Sequence, residues 1–275
     1  MEKRSRMHVS AIQMASGPDH DRNLRTATSL IEQAVQSGAD LVALPETFDY
    51  RGDLKDLSPI AHELPGPAVE PLINVAAKHR IWLLAGSVHE ANPDGGRPFN
   101  TSVLIGPEGQ IKARYRKLHL FDITIGDRSV TESAKYTPGS EVVTTDVEGW
   151  TAALSICYDI RFPELYRAFS DKGTNLVFVP SSFTAQTGAA HWEILLRARA
   201  IENQCFVIAP GQAGIGAGGI ATYGNSMIVA PWGEVLARAS QEEEAVISAE
   251  IEPAMLDSAS EKLPVLRHRR RDVIR

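Results

Sequence analysis

Short apolar runs alternate with longer amphipathic stretches along this chain. Residues 7–14 read as a strand. Asp19 or Asp21 can cap the helix that follows, where Ala27, Leu30, Ile31, Ala34 and Val35 share one face and Gly38 marks the end. Residues 41–44 are apolar without a break, the pattern of a strand buried on both faces, and they run into Pro45-Glu46. A helix is predicted around 67–78 and a strand at 81–86. Residues 102–106 and 111–114 form a hairpin around Pro107-Glu108-Gly109. This alternation of strands and helices predicts the α/β class.

The second half repeats the plan in the same order. Residues 41–45 match 176–180, residues 80–87 resemble 204–211, and the hairpin at 102–114 matches 226–238. Two similar halves within one domain, 1–275, are therefore expected, each a sheet with helices on its outer face. Packed sheet to sheet they give a four-layer α-β-β-α sandwich. Ligands of α/β sheets sit beyond the carboxyl ends of strands, so the residues at those ends are the ones to inspect.

Composition narrows the function. Of 275 residues, 43% are hydrophobic and 23% charged, the balance of a globular protein. A net charge of -6 argues against a nucleic acid held through its phosphates. No apolar run reaches the roughly 18 residues that span a bilayer. The basic start at 1–7 precedes an apolar stretch too short for a secretion signal, interrupted at Gln13. Cys157 and Cys205 are the only cysteines, with no CxxC or HExxH spacing, so neither a disulfide framework nor a metal site is expected. A reducing cytoplasm is the expected compartment.

Reactive residues then stand out by position. Glu46 directly follows the buried strand at 41–44, where a rigid backbone holds a carboxylate partly out of water, the setting of a general base. Cys157 follows the apolar strand at 152–156, and a helix begins near 162–165. A thiol at such a turn meets backbone N–H groups able to stabilise a thiolate and then an oxyanion. Cys205 lies inside a strand at 204–209 and reads as a buried structural thiol. Lys117, just past the first hairpin, could stabilise a developing oxyanion beside those two groups. Ser182 and Thr187 follow the strand duplicating that of Glu46, so by symmetry they face the same cleft. Arg161 and Glu164 are expected to pair near the nucleophile, with Arg161 able to touch a substrate carboxylate.

The chain resembles the nitrilase, or carbon–nitrogen hydrolase, superfamily over nearly its whole length. The resemblance rests on Leu44-Pro-Glu46, Tyr115-Arg-Lys117-Leu-His-Leu120 and Cys157-Tyr-Asp-Ile-Arg-Phe-Pro-Glu164, with a second glutamate at Glu132 in Thr131-Glu-Ser133. The segment at 187–202 is most similar to the Nit subgroup, which includes omega-amidase and deaminated glutathione amidase. This implies a cysteine-dependent amidase acting on a small linear amide, with Glu46, Lys117 and Cys157 as the catalytic set. Glu132 would orient Lys117 or the substrate, and the Tyr158 N–H would share the oxyanion with Lys117. The implied chemistry needs neither metal nor organic cofactor. The resemblance also suggests that the tail at 261–275, with its basic run at 267–271, builds a homodimer.

Other readings weigh less. The same residues could hydrolyse a nitrile, and a silent binding or scaffold protein could keep the fold. Gly214, Gly216 and Gly219 match GxGxxG, but residues 221–230 read as a strand, leaving no helix N-terminus for a pyrophosphate. His191, expected at the start of a helix, and His119, two residues from Lys117, read as structural. Gly224-Asn225 and Ala230-Pro-Trp-Gly233 depart from the Gly-His and Asp-Pro-Trp-Gly common in the family, which puts substrate identity in question.

Overall fold

The amphipathic stretch after the first strand folds as predicted. Helix α1, His20–Gln36, is capped by the Asp19 carboxylate, which accepts from the Arg22 N–H at 2.9 Å. Its Ala27, Leu30, Ile31 and Ala34 are buried against the first sheet. The computed structural model describes residues 4–53, 57, 59–125, 128–216, 219–241 and 244–274. The first three residues of the basic start and the last residue of the tail lie outside these.

The first half contributes β1 (Met7–Gln13), β2 (Leu41–Ala43), β3 (Trp82–Leu84), β4 (Val88–Glu90), β5 (Phe99–Ile105) and β6 (Ile111–Arg116), with helix α2 (Gly66–His79) before β3. The hairpin β7 (Asp122–Ile125) and β8 (Arg128–Thr131) follows. The second half contributes β9 (Thr144–Val147), β10 (Trp150–Leu154), α3 (Pro163–Asp171), β11 (Leu176–Phe178), α4 (Ala185–Asn203), β12 (Phe206–Ala209), β13 (Met227–Val229) and β14 (Val235–Arg238). Strand β15 (Ala245–Ile251) then returns to pair antiparallel with β1, and α5 (Pro253–Lys262) follows.

The two sheets carry the duplication. In the first, β1, β2 and β3 are parallel and β5 and β6 add antiparallel beyond them. In the second, β10, β11 and β12 are parallel and β13 and β14 add antiparallel. The match reaches single residues. Arg80 and Gln204, which end α2 and α4, both adopt the left-handed conformation (φ 54° and 49°), and their N–H groups donate to Ala76 and Ala200.

Period-two burial sorts the layers. Val9, Ala11, Leu41 and Ala43 face the second sheet, packing in one core with Ala152, Leu154, Phe206 and Met227. Ile12, Val42 and Leu44 point the other way, to α1 and α2, and the second sheet packs in turn against α3 and α4. The architecture is the expected four-layer α-β-β-α sandwich.

The predicted strand at 221–230 is shorter, because Gly224 (φ 59°) and Asn225 (φ 52°) turn the chain before Met227. Among the described residues no α-helix follows the glycine pattern before β13, so the dinucleotide reading has no structural footing.

Candidate active site

The carboxyl ends of β2 and β10 deliver Glu46 and Cys157 to one cavity of about 440 Å³. Glu46 is fixed through its backbone: its carbonyl accepts from Gln212 Nε2 at 3.0 Å, and the next residue, Thr47, donates its N–H to Ser87 Oγ at 2.9 Å. Gly86 lies so close that a Cβ there would stand 1.9 Å from the Pro45 carbonyl, so only glycine lets β2 leave at this angle.

Cys157 opens a 3-10 turn, Cys157–Arg161, with φ 48°, a conformation a non-glycine residue keeps only where its surroundings enforce it. Asp159 supplies the enforcement. Its buried carboxylate accepts from the Ile156 N–H (2.8 Å), the Tyr115 hydroxyl (2.7 Å) and the His119 N–H (3.0 Å), and it meets His119 Nδ1 at 2.7 Å. Tyr115 and His119 flank Lys117 by two residues on either side, so one aspartate ties the nucleophile turn to the strand end carrying the lysine. The Cys157 N–H donates to the Pro180 carbonyl at 3.0 Å. The Tyr158 N–H has no acceptor among the described residues.

Lys117 is buried, and its ammonium donates to Glu46 Oε1 at 2.9 Å and to both Glu132 oxygens at 2.9 and 2.8 Å. Burial alone favours the neutral amine, but Glu132 and Glu46 outweigh it and hold Lys117 well above the usual lysine range. Glu132 is itself raised, by burial first and by Glu46 next, with Lys117 opposing. Asn100 of β5 bridges the carboxylates, donating to Glu46 Oε1 at 2.9 Å and to Glu132 Oε1 at 3.4 Å. Glu46 Oε2 accepts the Ser182 N–H at 2.8 Å.

Burial, followed by the nearby Glu46 charge, pushes the Cys157 thiol well above its ordinary range, against the pull of Lys117. The resting group is a neutral thiol that shares its cavity with its base. Cys205, expected inside a strand, lies just ahead of β12 because Gln204 still caps α4; it is fully buried, is pushed up to about 12 by burial and lies away from any catalytic partner.

The structure therefore brings Glu46, Lys117, Glu132 and Cys157 together, and Tyr158, Arg161, Ser182 and Thr187 all line the same cavity. Ser182 meets Glu46 through its backbone rather than its hydroxyl. Two expectations need correction. Arg161 does not pair with Glu164: Phe162 between them is extended (φ -107°, ψ 92°), which breaks the helical spacing, and Arg161 instead meets His191 Nδ1 at 3.2 Å and lies over the Phe183 ring. His191 is not at a helix start, because α4 begins at Ala185 behind the Thr184 cap. Asn225 and Ala230 do not line the cavity. Asn225 occupies its left-handed position and accepts from Arg238 Nη2 at 2.8 Å.

Asn100 and Asp159 escaped the sequence reading. A signal existed for each: Asn100 is a polar residue in the buried strand β5, and Asp159 lies two residues past the nucleophile in a turn with N–H groups to satisfy.

A buried cation, a carboxylate and a thiol at the strand ends of an α-β-β-α sandwich define a cysteine hydrolase. The model of the carbon–nitrogen hydrolase family matches residues 8–261, and the chain belongs to that family. A deaminated glutathione amidase of Synechocystis sp. is 42% identical over 266 residues, covering 95% of this chain and 97% of its own. Omega-amidase NIT2 of Xenopus tropicalis is 39% identical over 270 residues, 98% of this chain and 97% of its own. Among solved structures, the C. elegans NitFhit protein superposes with a TM-score of 0.91 at 38% identity, covering 100% of this chain and 67% of that one.

Proposed function

We propose that this protein is a cysteine amidase that hydrolyses a small linear amide to a carboxylic acid and ammonia. The observation that carries the reading is the Glu46 carboxylate, which accepts from the Lys117 ammonium and lines one cavity with the Cys157 thiol. Glu46 takes the thiol proton as sulfur attacks the amide carbonyl. Lys117 and the unengaged Tyr158 N–H face the oxyanion of the tetrahedral adduct. Collapse breaks the C–N bond, and the proton on Glu46 goes to the nitrogen, releasing ammonia and leaving a thioester. Glu46 then removes a proton from water, which attacks the thioester. The second adduct collapses to acid and thiolate, and the thiolate recovers its proton from Glu46. Glu132 orients Lys117, and the Ser182 and Thr187 side chains contact the substrate.

The names of the two curated relatives support an omega-amide or deaminated-glutathione-like substrate. The test is rapid-quench mass spectrometry with such amides: an acyl adduct on Cys157 is expected, and turnover with no adduct on that residue under any quench time overturns the reading.

The same proposal takes the cytoplasm as the compartment and a second copy of the chain as the partner, rather than nucleic acid or a membrane. No helix among the described residues is long and apolar enough to cross a membrane. Exposed Ile194, Ile201, Trp232 and Leu263 support self-association, and Arg269 and Arg271 of the tail pair with Asp171 at the end of α3. Deleting residues 261–275 is expected to shift the mass measured by light scattering from dimer to monomer.

A further inference from the structure

Lys117 has no hydrogen to spare in the resting site. An ammonium carries three N–H donors. One goes to Glu46 Oε1 at 2.9 Å and the other two to the Glu132 oxygens at 2.9 and 2.8 Å. The oxyanion of the tetrahedral adduct therefore gains a Lys117 hydrogen only if Lys117 lets go of a carboxylate. Charge decides which one. As the Cys157 Sγ–H bond breaks, the proton bonds to Glu46, the sulfur electron pair bonds the carbonyl carbon, and the carbonyl π pair becomes the oxyanion. Negative charge thus moves from Glu46 to the oxyanion, while Glu132 keeps its own. Hydrogen bonds to ionised acceptors are the stronger kind, so the Lys117 bond to Glu46 weakens just as the oxyanion forms.

Another donor must then hold Glu46 where Lys117 held it, and Asn100 of β5 is already in place. Backbone fixes it beside the lysine: its carbonyl accepts the Lys117 N–H at 2.9 Å. It is 1% exposed, and its two Nδ2 hydrogens go to Glu46 Oε1 at 2.9 Å and Glu132 Oε1 at 3.4 Å. Both acceptors are carboxylate oxygens, so the amide can only sit with its nitrogen toward them. That orientation leaves Oδ1 buried with no partner among the described residues, which works against stability. An apolar side chain would leave no such orphan, so the asparagine serves its two donors rather than the fold. Glu46 Oε1 thus has two donors at rest, whereas Oε2 has the Ser182 N–H alone and keeps room for the thiol proton.

We propose that Asn100 is a positioning residue that holds Glu46 at Oε1 while a Lys117 hydrogen passes from Glu46 to the oxyanion. The role rests on the amidase reading and adds a participant to it. Asn100 touches no reacting atom and acts through Glu46 and Lys117. When the adduct collapses, the proton on Glu46 goes to the leaving nitrogen, and Lys117 returns to a charged Glu46 that has not moved.

The experiment compares two reactions of Cys157. Alkylation by iodoacetamide needs the thiolate and expels iodide without forming an oxyanion, whereas amide hydrolysis needs both thiolate and oxyanion. In Asn100→Leu the resting Glu46 still has Lys117 and the Ser182 N–H, so the alkylation rate constant should stay within about threefold of wild type. Ammonia release from the fastest of succinamate, glutaramate and adipamate should fall about 100-fold in kcat, the order of a lost oxyanion donor, with KM within about threefold. A merely structural asparagine would lower both reactions together. The readout is therefore the kcat loss divided by the alkylation loss, about 100 if the proposal holds, and a value below about ten overturns it. Asn100→Ala supplies the same quotient where Asn100→Leu does not fold. A loss carried by KM rather than kcat also overturns the positioning role, and both of these results leave the amidase reading intact. Wild type that releases ammonia from none of the amides overturns the amidase reading, and the role of Asn100 with it.

Discussion

The ends of β2 and β11 are the same piece of backbone used twice. Both strands run into a proline, and both pair with the next parallel strand through equivalent bonds, Leu44 to Leu84 and Val179 to Ile208, each at 2.9 Å. The residue after the proline is Glu46 in one and Ser181 in the other. The first end delivers a carboxylate. The second delivers backbone: the Ser182 N–H on Glu46 and the Pro180 carbonyl on the Cys157 N–H. Duplication supplied two matched ledges, and a single side-chain difference divided the labour between them. One ledge holds the base, and the other positions base and nucleophile.

The largest effect that can break this division comes from the nucleophile. Cys157→Ala should lose at least about 10⁴-fold in kcat, because no other group on either ledge can form the thioester. Cys205→Ala, in the same core but away from the cavity, should keep kcat within about twofold and cost about 1–2 kcal/mol of stability from the lost packing. Steady-state ammonia release and thermal unfolding of both variants check this. Comparable losses for the two cysteines would erase the distinction.

The next effect tests the base. Glu46→Gln should reduce kcat about 10³-fold, within the range of a lost general acid–base group. The thiol should respond in the opposite sense. Glu46 is one of the groups that push Cys157 up, so its neutralisation lowers the thiol pKa. Alkylation of Cys157 by iodoacetamide, followed by mass spectrometry against pH, should therefore rise at lower pH in Glu46→Gln than in wild type. A rise at higher pH would mean that the Glu46 charge is not what holds the resting thiol neutral.

How legible this division was depends on how local its causes are. The strands at 41–44 and 176–179 announce themselves by unbroken apolar runs ending in proline, and the residues after them could be read as facing a cleft. The edge strand β15 is only partly buried and pairs with β1 across the length of the chain, so no local pattern marks it. The β7–β8 hairpin is short, and its Ser129, Val130 and Thr131 line the cavity rather than the core. Arg161 misled for a related reason: the spacing to Glu164 suggests a helical pair, but an extended Phe162 intervenes. Asp159 was visible as a residue and opaque as a function, because its partners Tyr115 and His119 come from the other half of the molecule.

That cross-link gives a smaller and more structural prediction. Asp159→Asn keeps the shape but replaces one accepting oxygen with a donor, beside N–H and hydroxyl groups that already donate. Destabilisation of about 2–4 kcal/mol is expected from the buried mismatch, with kcat down about tenfold as the nucleophile turn loosens. Denaturant unfolding and kcat measured on the folded fraction separate the two. Full stability with a large loss in kcat would make Asp159 a participant in the chemistry rather than a brace.

The smallest expected effect concerns the ledge's outer surroundings, where Asn225 and Ala230 depart from the family pattern. Asn225 is held at φ 52°, donates to the Tyr223 carbonyl at 2.6 Å and accepts from Arg238, and it does not line the cavity. Asparagine tolerates the left-handed region better than most side chains, so the departure suits the turn that ends the glycine segment. Asn225→Ala should cost about 1–2 kcal/mol from the strained φ and the lost Arg238 bonds. The ranking of amide substrates should stay as in wild type, because none of the lost contacts reaches the cavity. A reordered substrate panel would mean that the turn at 224–225 positions the wall formed by Gly216 and Thr222, and that the second ledge shapes specificity as well as the nucleophile.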